Sequence, residues 1–138
     1  MSAFRLDDVV AYISDNLPTF HVRVSAMQNT AHFLAELKAV NSNRLPLVIV
    51  VFDGVDFNEE TICAETRISL ILVDQFRADS DDRARSLFKH AADLMALFPI
   101  LGKQLGEAFI TPEDVRAASV DPNFAAIVLG LRVQQRAR

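Results

Sequence analysis

The feature that most constrains this chain is the run Leu45-Pro46-Leu47-Val48-Ile49-Val50-Val51-Phe52, which is short, β-branched and apolar on both sides. A strand of that kind needs cover on both faces, so the run predicts a central strand in a layered domain. Pro46 belongs near its start, because proline cannot donate to the ladder. A second strand is predicted over 61–75. Ile62, Ala64, Ile68, Leu70 and Leu72 share one face of it, against Cys63, Glu65, Arg67 and Ser69, and beyond Ser69 the outer face turns apolar too, at Ile71 and Val73. A last strand over 124–134 sets Ile127, Leu129, Leu131 and Val133 against Ala126, Val128 and Gly130. Large apolar area on both sides of several strands marks an interface. Ile71, Val73, Ile127, Leu129, Leu131 and Val133 are therefore the residues expected at a surface for self-association, although two central strands in a well-covered sheet would read the same way.

The rest of the chain supplies the covering layer. Over 5–17, Leu6, Val9, Val10, Ile13 and Leu17 fall on one helical face, with a stop signal at Asn16 and Pro18. Phe20, Val22, Val24 and Ala26 alternate with His21, Arg23 and Ser25, the pattern of a strand with one wet face. Residues 30–39 predict a short helix capped by Asn29 or Thr30, with Leu34 and Leu37 inward. The strongest helix spans about 81–98, capped by Asp79 or Ser80 and ended by Pro99. Its stripe is Ala84, Leu87, Phe88, Ala91, Leu94, Met95 and Phe98. Residues 99–123 carry Gly102, Gly106, Pro112 and Pro122 and read as irregular, with a short strand near 115–120. A length of 138 residues suits one domain and not two. The expected architecture is a single α/β (α+β) domain: a mixed or mainly antiparallel sheet of about four to five strands, flanked by a long helix and shorter ones.

Composition narrows the function classes. A net charge of −4 and a pI near 5.3 give no general affinity for nucleic acid. The longest apolar run, 94–102, contains Pro99 and falls far short of the ~20 residues of a membrane helix. Asp7 and Asp8 stand where a signal peptide would begin its apolar stretch, so export by that route is not expected. The lone Cys63 cannot build an internal disulfide, and on a strand it is expected to pack as a small hydrophobe.

Catalytic and ligand motifs do not emerge. The segment Asp53-Gly54-Val55-Asp56-Phe57-Asn58-Glu59-Glu60 has four carboxylates but no EF-hand spacing, and it reads as a solvated acidic turn between strands. Asp79-Ser80-Asp81-Asp82 is explained by helix capping and the helix dipole. His21, His32 and His90 match no zinc spacing, and His90, after Lys89, is expected on an exposed face. Four scattered glycines form neither a P-loop nor a dinucleotide fingerprint. Arg132, Arg136 and Arg138 form a basic end suited to a solvated tail or an acidic neighbour. No catalytic residue, cofactor or metal is expected.

The order of elements resembles a family. A short opening helix ends at Asn16-Leu17-Pro18 and is followed by an alternating strand and the 45–52 strand. Arg67-Ile68-Ser69-Leu70-Ile71-Leu72-Val73 comes next, then a long helix opened by Asp79-Ser80-Asp81-Asp82. The close is Ala125-Ala126-Ile127-Val128-Leu129-Gly130-Leu131-Arg132-Val133. This order is similar to that of the tail terminator, or tail completion, proteins of tailed bacteriophages, including the Mu-like group, and of related phage-tail particles. The likeness covers most of 5–98 and 124–134, while 99–123 has no counterpart and 30–39 reads as an insertion. The resemblance implies a structural virion protein without chemistry. It would form a hexameric homo-oligomeric ring that caps the tail tube, ends its polymerisation and offers a surface for head joining. Its partners would be the tail tube protein, the head–tail connector or neck protein and, in some tails, the sheath. DNA would be only the passing genome, no membrane would be involved, and the site would be the head-proximal end of the virion's tail after synthesis in the host cytoplasm. Asp53, Asp56, Glu59 and Glu60 would line a rim or lumen of that ring. The alternatives are a connector or neck subunit of similar size, or a small-molecule-binding or hydrolytic α+β domain with a pocket beneath the long helix.

Overall fold

The structure is a computed structural model that describes residues 5–25, 46–58, 63–75, 81–121 and 124–136. Its elements are α1 (Leu6–Asn16), β1 (His21–Ser25), β2 (Leu47–Asn58), β3 (Cys63–Gln75), α2 (Asp81–Ala96), β4 (Lys103–Leu105), β5 (Ala108–Asp121) and β6 (Phe124–Arg136). The helix expected over 30–39 lies outside the described residues, as do Asp79 and Ser80.

The strands form one mixed, six-stranded sheet in the order β1-β2-β3-β6-β5-β4. β1 runs parallel to β2 and every other pairing is antiparallel. The α+β class therefore stands, with six strands in place of about four to five. The difference comes from 99–123: a tight turn at Gly106 folds the unexpected β4 back on β5, and the short strand expected near 115–120 becomes a long β5 that pairs along most of β6. Both faces of the β2–β3–β6 centre are buried, as the apolar runs demand. Val48, Val50, Ile68, Leu70, Leu72, Leu129, Leu131 and Val133 face the core shared with the helices, and Leu47, Ile49, Val51, Ile71, Val73, Ala126 and Val128 are buried on the opposite face.

Helix α1 begins with Asp7 and Asp8 in its first turn, where negative charge complements the dipole. The Asp8 carboxylate accepts the Arg5 N–H at 3.0 Å, one half of a capping box; Arg5 itself brings no acceptor oxygen. The helix buries Val9 and Ile13 and touches β1 and β2. It also reaches the other end of the strand order: Tyr12 donates its hydroxyl to the Leu97 carbonyl at 2.8 Å, and the Lys103 ammonium of β4 lies 5.7 Å from the Tyr12 ring centre. Both ends of the sheet meet one helix, so the sheet curls around α1.

Helix α2 packs on the sheet through Leu87, Ala91, Leu94 and Phe98. Phe88 and Met95, expected in the same stripe, point outward. Each sits about 100° further round than its buried neighbour, so a seam built on 87, 91, 94 and 98 leaves 88 and 95 outside it. On β1 the wet-face expectation is also revised, since Val24 is exposed and Ser25 buried.

Candidate functional surfaces

The residues expected at a self-association surface are placed elsewhere. Ile71, Val73, Leu129, Leu131 and Val133 are buried within the chain and Ile127 is half-buried, because the sheet is already covered on both sides. The described part of the acidic segment, 53–58, is likewise not a loop. Asp53 and Asp56 belong to β2, which pairs with β3 as far as Asn58↔Cys63, with a bulge between Phe52 and Gly54. The Asp53 carboxylate accepts the Ser69 hydroxyl on β3. Glu59 and Glu60 lie outside the described residues, as does His32.

Beyond the bulge, one face of the sheet becomes polar. Arg132 of β6 bridges Glu65 of β3 at 3.5 Å and Glu113 of β5 at 2.7 Å, and Gln134 donates to Glu65 at 3.0 Å. Arg116 pairs with Asp114 at 3.6 Å. Gly130 sits opposite Asp114 in the register, and a side chain there would meet the Asp114 carboxylate. Two shallow grooves run along this face, one of about 230 Å³ between Asp53, Arg67, Ser69, Asp114 and Arg116, and one of about 480 Å³ between Thr111, Glu113, Arg132 and Gln134. Charge alternates along both. Such a face suits a partner with matching alternation better than a single-sign ligand.

A third groove, of about 330 Å³, separates α1 from the β4–β5 turn and is lined by Asp8, Tyr12, Asp15, Glu107 and Gln135. No group of three or more histidines, cysteines, aspartates or glutamates is placed to hold a metal ion among the described residues.

His90 is not on an open face. Its Nδ1 lies 3.1 Å from the Asp74 carboxylate at the end of β3, and its ring meets Phe20 edge-on at 5.3 Å. A carboxylate beside an imidazole is half of a nucleophile-activating arrangement. Among the described residues no hydroxyl or thiol hydrogen-bonds the other ring nitrogen, and the pair ties α2 to β3. Neither residue declared the partnership in sequence, since sixteen positions separate them.

Two further exposed surfaces are apolar. Phe88 and Met95 point outward from α2, and Pro99, Ile100 and Leu101 of the turn that follows the helix are exposed. Ile100 is 87% and Leu101 92% exposed. A second exposed group, Val24, Phe52 and Val55, lies on β1 and β2. Val24 pairs with Val50, so Phe52 is its next neighbour on that side of β2. The turn leads into β4 at one end of the strand order and the second group lies at the other end, while α2 itself packs on β3 and β6 at the centre. The described helices include none long and apolar enough to cross a membrane. No family model matches the chain, and no curated protein is detectably similar to it.

Proposed function

We propose that this protein is a structural, self-associating subunit without catalytic chemistry, acting as the ring that caps a phage tail tube and presents the head-joining surface. The observation that carries this reading is the pair of unlike exposed apolar groups, Ile100 and Leu101 in the turn before β4 and Val24, Phe52 and Val55 on β1 and β2. A subunit with two different sticky surfaces associates head to tail, and a head-to-tail contact that closes makes a ring. A sheet covered on both sides and curled around a helix supports the role as well. It makes a stiff body, and a ring that sets a fixed end on a tube needs stiff subunits. The order of elements resembling tail terminators supplies the specific assignment.

The test is removal of the protein from the particle that encodes it. Tails of altered length in electron micrographs, together with the protein labelled at the head-proximal end of normal tails, are the expected result. Tails of unchanged length, or a label found elsewhere, overturn the reading. A His90→Ala variant that folds normally yet loses activity would instead point to the hydrolytic alternative, because His90 is the one imidazole held by a carboxylate among the described residues.

A further inference from the structure

Strand β5 is paired unequally on its two sides. Toward β6 it is bonded along most of its length, from Phe109↔Gln134 to Asp121↔Phe124. Toward β4 it is bonded only at 108–110, and no described strand follows beyond Ile110 on that side. Past that point every second residue of β5 turns its N–H and C=O away from β6. An open edge of this kind accepts another strand through main-chain hydrogen bonds. Residues 113–117 are exposed on both faces of the sheet, which leaves room beside them.

The two ends of this edge are closed in the way edge strands usually are. Pro112 has no N–H to offer, and bulges fall between Pro112 and Asp114 and between Ser119 and Asp121. Between the bulges, 114–119 is regular, so its residues alternate faces. Asp114 and Arg116 share the face above Gly130, and Val115 and Ala117 share the other.

Charge and register together identify the strand that fits. Two identical strands paired antiparallel are related by a two-fold axis, and residues opposite each other must share a face. Centring the pair on Asp114 sets that carboxylate against its own copy, and centring it on Arg116 sets two guanidiniums together. Centring it on Val115 puts Asp114 of each copy opposite Arg116 of the other. The two Val115 side chains, each 45% exposed, then meet on the reverse face. Within one chain the Arg116–Asp114 pair is long, at 3.6 Å, and its side chains are 66% and 53% exposed, so both keep capacity for a second partner. The groove of about 230 Å³ over Gly130 leaves space beside Asp114 for an incoming guanidinium.

We propose that two copies of this chain join edge to edge through β5, antiparallel about a two-fold axis at Val115, with Asp114 and Arg116 paired in both directions. The sheet then continues across the contact from one copy into the other. This goes beyond the ring reading and does not rest on it, because a two-fold contact closes on itself after two copies.

The test traps the register in the purified full chain. Val115→Cys, made with Cys63→Ser so that one thiol reports, forms a disulfide-linked dimer on mild oxidation. Directly opposed Cα atoms lie about 4.5–5.5 Å apart, within disulfide reach. Ala117→Cys in the same background stays uncrosslinked, because its counterpart lies about 13 Å away along the ladder. Adding Arg116→Asp or Asp114→Arg to the Val115→Cys chain sets like charges opposite each other and lowers the yield roughly tenfold. Mixing those two charge variants restores it, as a mixed dimer identified by mass. Circular dichroism checks that each variant folds, and the milder Arg116→Gln serves if a charge reversal does not. The proposal is overturned if the 115 variant stays uncrosslinked at every protein concentration, if the 117 variant crosslinks as readily, or if mixing the charge variants restores nothing. Tail length on removal of the protein judges the ring reading separately, so either can fail while the other stands.

Discussion

At the scale of single residues, glycine geometry separates two turns that look alike in sequence. Gly102 has φ +97° and its Cα rests against the Phe109 ring, so it is fixed by backbone conformation and by contact together. Gly106, in the β4–β5 turn, has φ +61° and nothing within 4 Å of an added Cβ. Alanine at 102 must strain the backbone and displace an aromatic ring, which should cost about 2–4 kcal/mol. Alanine at 106 meets only the left-handed backbone penalty and should cost about 1 kcal/mol. Urea denaturation of the two variants checks the difference. Equal losses would show that Phe109 moves aside freely and that the apolar turn is not pinned.

At the scale of elements, α2 decides between an inner and an outer apolar seam. Leu94 is buried and Phe88 is 70% exposed. Leu94→Ala should therefore lower stability by about 2–5 kcal/mol through the cavity it leaves, whereas Phe88→Ser should change it by less than about 0.5 kcal/mol. Thermal melts of the two variants give the ranking, and the reverse order would put the helix on its other face. The three–four spacing in sequence marks both seams as apolar, and spacing alone does not say which one meets the sheet. The same limit explains the strands. Strand is legible in the unbroken apolar run of β2 up to Phe52, and alternation is legible in β3, where Ile68 and Leu70 alternate with Glu65, Arg67 and Ser69. It is lost in β5, where bulges between Pro112 and Asp114 and between Ser119 and Asp121 break the period of two. Asp53 to Asn58 has the composition of a turn, yet its ladder with 63–67 of β3 makes it strand. The central apolar runs read as partly free for a neighbour, because nothing local reveals that both of their faces are buried within the chain. The exposure of Ile100 and Leu101 is not legible either, since an apolar pair after a helix reads equally as core or as surface.

At the scale of the whole molecule, charge sets how the subunits meet. Each carries a net charge of −4, and the arginines at 116 and 132 already have carboxylate partners in their own chain. Copies brought together in a ring therefore repel through their excess negative charge, while the ring contact proposed between them is apolar. Screening acts on the first effect and not on the second, as the Debye length falls from about 10 Å at 0.1 M salt to about 3 Å at 1 M. Raising sodium chloride from about 0.05 M to 0.5 M should thus strengthen self-association several-fold, by shortening the range of the repulsion and leaving the burial of Ile100, Leu101 and Phe52 intact. Sedimentation velocity at fixed protein concentration measures this as a shift toward larger species. The alternating charges along Glu65, Arg132, Glu113 and Arg116 make the contrary outcome specific. If that face closed the ring, its ion pairs would be screened and the multimers would dissociate with salt. Weakening across this range would move the ring contact from the apolar turn to the charged face of the sheet.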